Sequence, residues 1–422
     1  MSFVKNIIKT PLFQVSSLNT LSVMVRIAGG LVASKIIALF LGPGGVAVIG
    51  NFRNFLTSLE VFSTLGFQHG IIKYVAENEK NEPALQKIIA TVFISIILVV
   101  LGLSVLLFFL SGFLNQIIFG DGSYEWVFKV VAFSLPWYAG SFIFMAIVNG
   151  LGKYKNVITI NIWGNIIGVA LSAVLIWKLN LTGAFLGLII TPAVLFIFSF
   201  YLLQKQFPGF GFLKWENFEM PVLRGLLSYS FMSLVTALLT PVIYISIRNS
   251  ITSVYGLDEA GYWENMNRLS VFYLMFITSM LSVYFLPKLS MAKSGAETQS
   301  IFRSYYKGIL PLFVIGAFVV YFLREFIVRT LFSVEFLPMT DLFFWQLLGD
   351  FFKVCSLILG YEFLAKKNTK AFVITEVLSV SLLYISSRYL VESYGSKGAV
   401  IAQAVTFMVY FSILAAYFRK KL

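Results

Sequence analysis

Two arginines, Arg53 and Arg268, stand in otherwise apolar segments, and each is followed 20 residues later by a lysine, Lys73 and Lys288. A guanidinium is planar, stays charged at any physiological pH and offers a fork of N–H donors that fits phosphate bidentately. Paired arginines in an apolar setting therefore suit a phosphate-bearing anion, whereas a small organic cation wants the opposite polarity. Further ionisable residues within apolar stretches are Arg26, Lys35 and Lys353, with Glu60, Asp350, Glu362 and Glu376. A charge at mid-membrane costs about 2.5–3.5 kcal/mol on the lenient insertion scale, so it faces a protein interior or a partner rather than lipid. Arg53 and Glu60 are two helical turns apart and share a face. Asp350 with Lys353, and Glu264 with Arg268, have the spacing of ion pairs along one helix. Arg26, Lys35, Arg53, Arg268 and Lys353 form the candidate anion-binding set. Glu60, Asp350, Glu362 and Glu376 are the ion-pair or coupling candidates, and coupling to protons or sodium is the expectation in place of a resident cofactor.

Other chemistries are poorly supplied. The chain has one histidine, His69, and one cysteine, Cys355, too few for the His/Cys clusters of metal sites or for an internal disulfide. No G-x-x-x-x-G-K-[ST] phosphate loop occurs, and Gly42-Pro43-Gly44-Gly45 reads as a turn.

The elements that must position these charges follow from composition. Of 422 residues, 59% are apolar and 12% charged, against about 25% charged in soluble domains, and the mean hydropathy is +0.87. A soluble enzyme is excluded, and the net charge of +13 is assigned to the lipid–water boundary, with no nucleic acid as partner. Stretches of about 20 or more apolar residues read as spanning helices, twelve of them near 17–41, 46–75, 88–111, 127–150, 157–178, 182–204, 222–248, 261–287, 304–326, 341–364, 371–390 and 397–418. Before the first, Phe3, Val4, Ile7 and Ile8 with Lys5 and Lys9 have the pattern of a short interfacial helix.

The halves repeat. Arg268 and Lys288 stand to Arg53 and Lys73 at a shift of 215 in the numbering. Gly183-Ala184 matches Gly398-Ala399, Thr191 matches Thr406 and Lys205 matches Lys420, all at the same shift, while Leu151-Gly152-Lys153 matches Leu364-Ala365-Lys366 at 213. Six helices per repeat give both halves one orientation, so an all-α polytopic membrane protein of two pseudo-symmetric six-helix bundles, 1–205 and 220–422, facing a common cleft, is expected. Residues 206–219, rich in Gly, Pro and aromatics, are the candidate linker. Sorting the loop cations, one alternating set of loops holds only Lys129, Lys178, Arg248, Arg324, Arg329, Arg388 and Lys397, and the other holds most of the rest. The positive-inside bias then places both termini and the linker in the cytoplasm.

Several segments resemble a known family. Leu41-Gly42-Pro43-Gly44-Gly45 with Asn51-Phe52-Arg53 and Lys73-Tyr74-Val75-Ala76 is similar to the first two helices of Wzx-type polysaccharide flippases, near the enterobacterial O-antigen and lipid III translocases. So are Asp258-Glu259-Ala260-Gly261-Tyr262-Trp263, Tyr284-Phe285-Leu286-Pro287-Lys288, and Asp341 through Asp350 with Lys353. The resemblance covers nearly the whole chain and implies the twelve-helix, MATE-like fold of the multidrug/oligosaccharidyl-lipid/polysaccharide exporter superfamily. It also implies transfer of an undecaprenyl-pyrophosphate-linked oligosaccharide to the periplasmic leaflet of the bacterial inner membrane, with Arg26, Lys35 and Arg53 in a basic lumen. Polysaccharide polymerase and chain-length machinery would be neighbours in that setting. Val271 departs from relatives that carry Asp there. A cation-coupled drug exporter of the same superfamily, and a membrane glycan polymerase or ligase, are the alternatives. The first should show a more acidic cleft, and the second a large catalytic outer loop.

Overall fold

The structure is a computed structural model that describes residues 11–120, 122–207, 211 and 213–419. The expected interfacial segment at Phe3–Ile8, and Lys420, lie outside the described residues. Among them there is no strand: helices α1 (Pro11–Ser63), α2 (Gln68–Glu77), α3 (Glu82–Phe109), α4 (Ser111–Phe119), α5 (Glu125–Gly150), α6 (Tyr154–Gln206) and α7 (Met220–Tyr255) are followed by α8 (Leu257–Met280), α9 (Leu286–Met291), α10 (Gly295–Phe322), α11 (Arg324–Leu331), α12 (Phe343–Ala365) and α13 (Thr369–Tyr417). Helix is the expected solution, because backbone N–H and C=O groups in hydrocarbon must be satisfied within the segment itself. Nine helical stretches among the described residues are long and apolar enough to cross a membrane. Within three of these, the long helices α1, α6 and α13 are each broken by one residue with positive φ: Gly42 at 63°, Asn180 at 49° and Gly395 at 58°. Each broken helix supplies two spans, which makes twelve. Side chains such as Phe109, Phe133 and Phe322 stand 79%, 76% and 75% exposed, an outer surface suited to lipid rather than water.

The repeat is written in backbone angles. Asn180 and Gly395 correspond at the shift of 215, and beside each the chain folds back on itself. A Cβ on Gly183 would lie 1.9 Å from the Leu175 carbonyl oxygen, and one on Gly398 would lie 2.0 Å from that of Leu390. Only glycine allows such an approach. The helix ends at Gly152 and Lys367 correspond at the same shift, with φ of 68° and 53°. Both close with the same pair of bonds, Gly152 N–H to Asn149 O at 3.0 Å with Lys153 N–H to Val148 O at 3.3 Å, and Lys367 N–H to Leu364 O at 3.1 Å with Asn368 N–H to Phe363 O at 2.8 Å. This is the Schellman arrangement, which satisfies the last free carbonyls of a helix. The correspondence at this turn is therefore 215 rather than the 213 suggested by matching Leu-Gly-Lys to Leu-Ala-Lys. What repeats is the left-handed residue, glycine in one half and lysine in the other.

By packing, the chain divides into two compact units, one made of Met1–Ala33 with Phe52–Leu238 and the other of Ser34–Asn51 with Leu239–Leu422. In the first, the segment between α6 and α7 lies along α3: Glu219 N–H donates to Thr91 Oγ1 at 2.9 Å and its carboxylate pairs with Lys87 at 2.8 Å. In the second, Phe285, Phe302, Tyr305, Phe313, Phe363 and Phe418 build a buried aromatic core. Tyr305 and Tyr306 donate to the carbonyls of Val354 and Cys355, both at 2.8 Å, pinning α12 to α10.

Candidate functional site

In the first unit, Arg26 is exposed on the first span and Arg53 is half-buried on the second. The Arg53 carbonyl accepts the Thr57 hydroxyl at 2.9 Å. Arg53 follows Phe52, which is fully buried with its ring edge-on to Phe185 at 5.1 Å. Glu60 accepts a hydrogen bond from Gln68 Nε2 at 3.1 Å, across the break where Leu65 and Gly66 have φ of 52° and 63°. That carboxylate thus clips together the two helices of the second span, a role its spacing from Arg53 does not suggest. His69 is exposed on α2.

The second unit holds a buried ionic cluster, and it is not one that spacing suggests. Arg248, assigned by charge sorting to an outer loop, lies inside α7 at 1% exposure and forms an ion pair with Glu264 of α8. Its other terminal nitrogen donates to Asn51 Oδ1 at 2.5 Å, Asn51 in turn donates to Asn249 Oδ1 at 2.9 Å, and the guanidinium stacks 5.4 Å from the Trp263 ring. Glycine makes room for the carboxylate, since a Cβ on Gly50 would sit 2.6 Å from Glu264 Cδ. Glu264 is therefore not the partner of Arg268. Arg268 is half-buried over the Phe272 ring at 5.9 Å and makes no ion pair among the described residues.

Asp350 does not pair with Lys353 either. It is completely buried, and its Oδ2 accepts from Ser270 Oγ at 2.6 Å, from Gln346 Nε2 at 3.1 Å and from the Tyr273 hydroxyl. Lys353 instead lies 5.2 Å over the Phe407 ring. One turn of helix sets the two side chains at an angle, and the hydroxyls of α8 reach the carboxylate first.

The remaining candidates lie apart. Lys35 Nζ donates to the Thr330 carbonyl at 2.7 Å, in the last turn of α11, where free carbonyls and the helix dipole favour a cation. Glu362 is buried three residues before the end of α12, lining a cavity of about 580 Å³ with Lys366, Asn368 and Arg419. It belongs to a helix end, not to mid-membrane. Glu376 is half-buried on α13. No cluster of three or more metal-ligating His, Cys, Asp or Glu side chains occurs among the described residues.

Comparison with known proteins places this arrangement. A family model described as polysaccharide biosynthesis protein matches residues 14–293. Over 406 residues the chain is 33% identical to the lipid III flippase of Escherichia coli (strain K12), spanning 94% of this chain and 95% of that relative, and it is as similar to the lipid III flippase of Shigella flexneri. Among solved structures, the lipid II flippase MurJ in an inward closed conformation aligns with a TM-score of 0.74 at 17% identity, covering 96% of this chain and 87% of MurJ. An inward-facing multidrug resistance MATE transporter of the MOP superfamily aligns at 0.73 and 14%, covering 94% and 98%. At such identities these two establish the fold, a multi-pass bundle of the MATE and MurJ kind. The family match and the near-complete span of the curated relatives together settle membership: the chain belongs to the polysaccharide biosynthesis protein family.

Proposed function

We propose that this protein is a flippase that carries an undecaprenyl-pyrophosphate-linked oligosaccharide from the cytoplasmic to the periplasmic leaflet of the bacterial inner membrane by alternating access, without enzymatic chemistry. The observation that carries the reading is 33% identity over 94% of the chain to a protein named lipid III flippase. Physical chemistry supports it. A pyrophosphate and a glycan cannot enter hydrocarbon unaided, because each desolvated polar group costs several kcal/mol, so a carrier must offer cations and hydrogen bonds within the membrane. Arg53 and Arg268 fit that need, with Arg26 and Lys353 as further cations. Arg268 is not committed to a carboxylate among the described residues, and Arg26 is exposed. Lys35 fits less well, since it is held by a helix terminus. The direct test is flipping of a defined lipid-linked oligosaccharide in proteoliposomes holding the purified chain. Movement of the oligosaccharide above empty vesicles supports the reading, and uptake of an organic cation instead supports a drug exporter.

Direction of transport depends on orientation, for which we propose cytoplasmic termini. Burial of Arg248 against Glu264 supports the charge asymmetry behind this, because a cation neutralised inside the protein no longer counts on the poorer side. In a Cys355→Ser background, Asn156→Cys and Asn217→Cys should resist a membrane-impermeant thiol reagent added to intact cells and should react after permeabilisation. Ready labelling of both in intact cells would reverse the orientation.

A further inference from the structure

The cavity of about 580 Å³ at the joined ends of α12 and α13 lies outside the candidate anion-binding set, and its lining is chemically mixed. Glu362 is buried in its wall at 2% exposure, while Lys366 and Arg419 stand exposed at its rim. Lys366 Nζ donates to the Ala292 carbonyl at 2.5 Å, which fixes the ammonium just past the end of α9; an ammonium has three N–H donors to place. Asn368 uses its Oδ1 to cap α13, accepting from Ala371 N–H at 3.2 Å, and the amide nitrogen of the same side chain is a donor. Phe363 and Tyr417, which line the same cavity, form an edge-to-face pair at 5.4 Å. These charges are not inherited with the repeat. At the shift of 215, Glu362, Lys366 and Arg419 correspond to Ile147, Leu151 and Gln204, and Lys153, the counterpart of Asn368, donates to Gln206. From the cavity an apolar row runs along α13: Tyr417, Ile413, Val409 and Val405 are all exposed, and a spacing of four residues sets them along one side of the helix.

We propose that this cavity binds the phosphoethanolamine headgroup of a membrane phospholipid, with an acyl chain lying along the exposed row of α13. Such a headgroup carries a phosphodiester anion and, a short carbon arm away, a primary ammonium. Arg419 and Lys366 suit the phosphate, the guanidinium through its fork and the lysine as a point charge. Glu362 suits the ammonium, since a carboxylate has about four lone-pair sites and accepts more than one donor. The exposed ring of Tyr417 adds a face to which a cation is drawn. A headgroup that is an anion alone would set its charge against Glu362, and a choline headgroup has no N–H to donate. The volume falls within the range of small-molecule sites, about 300–1,000 Å³. The ends of spanning helices also lie at the depth of the lipid headgroups. The site concerns the lipid around the protein and does not rest on what the protein carries.

The test is native mass spectrometry of the full-length purified protein with an equimolar mixture of phosphatidylethanolamine, phosphatidylglycerol and phosphatidylcholine of matched short chains. The expected result is retention of phosphatidylethanolamine in preference to either of the others, by about tenfold, the effect of one hydrogen bond to a charged group. Glu362→Gln should bring phosphatidylethanolamine and phosphatidylglycerol close to parity. Arg419→Ala, which removes a phosphate contact common to the three lipids, should weaken all of them by about tenfold. Headgroup methylation keeps the test decisive if Glu362→Gln does not fold: retention by the parent should fall stepwise from the primary amine through its monomethyl and dimethyl forms. Glycerophosphoethanolamine, which has the headgroup and no chains, should displace the lipid only in large excess. Equal retention of the three lipids, a preference for phosphatidylglycerol, indifference to headgroup methylation, or the parent's selectivity in Glu362→Gln would overturn the site. Displacement by the chain-free headgroup at the lipid's own concentration would overturn a membrane lipid as its occupant.

Discussion

The Arg53→Ala, Arg268→Ala double variant should lose lipid-linked oligosaccharide flipping almost entirely while still reaching the membrane. Hydrogen bonds to charged groups contribute about 1.5–3 kcal/mol, so each arginine withdrawn should weaken anion binding by roughly ten- to a hundredfold, and losses at independent sites add in free energy. Abundance should hold at Arg268 because its guanidinium rests on the Phe272 ring, and no buried carboxylate is stranded when it goes. Lysine keeps the charge and loses the fork, so the order of activity at each position should be arginine, lysine, alanine. Flipping by variants matched for membrane abundance measures this. Full activity in the double variant would remove the arginines from the transport step and reopen the drug-exporter reading.

The largest stability effect is expected at Glu264. Removing one partner of a buried pair leaves the other as an uncompensated charge, at a cost of about 3–5 kcal/mol, a large part of the roughly 5–15 kcal/mol by which folded proteins are stable. Glu264→Ala would strand Arg248, which is 1% exposed between Asn51 and Trp263. Melting, read by size-exclusion profiles after heating, should fall steeply. Replacing both members, Arg248→Met with Glu264→Leu, should recover much of the loss, since no charge is then left buried. A single variant that melts like the parent would show that water or another group reaches Arg248.

Much of the architecture is legible in the sequence, because runs of about 20 apolar residues can satisfy their backbone groups in lipid only as helices. The shift of 215 read from Gly183-Ala184 and Gly398-Ala399 is the same shift that relates Asn180 to Gly395 and Gly152 to Lys367. The charged cluster is harder to read, because spacings of three or four residues reveal pairing only along a single helix. Glu264 bonds instead to Arg248, 16 residues earlier in the chain. A signal for this pair exists: Gly256 lies midway between the two, so in an antiparallel helical hairpin turning there they face one another. For Asp350 no such cue exists. Ser270 and Tyr273 lie 80 and 77 residues away, and only the packing of α8 on α12 brings them to it. Tyr273 itself reads as bulk, since nothing in its flanks distinguishes a packed tyrosine from one aimed at a carboxylate.

Six helices that begin and end on one side can be copied and joined in tandem with no change of insertion, and the left-handed residues kept at a constant distance are what such a duplication would leave behind. Chain path has outlasted residue identity: the same turn is made by Asn180 and by Gly395, and the same helix end by Gly152 and by Lys367. Against that shared ancestry, Asp350 and Gln346 stand out as an asymmetry. At a shift of 215 their counterparts are Leu135 and Val131, and at 213 they are Trp137 and Phe133, all apolar. Two copies of one scaffold have thus been given different work: one copy carries a buried carboxylate ringed by hydroxyl and amide oxygens, and the other fills the same place with hydrocarbon.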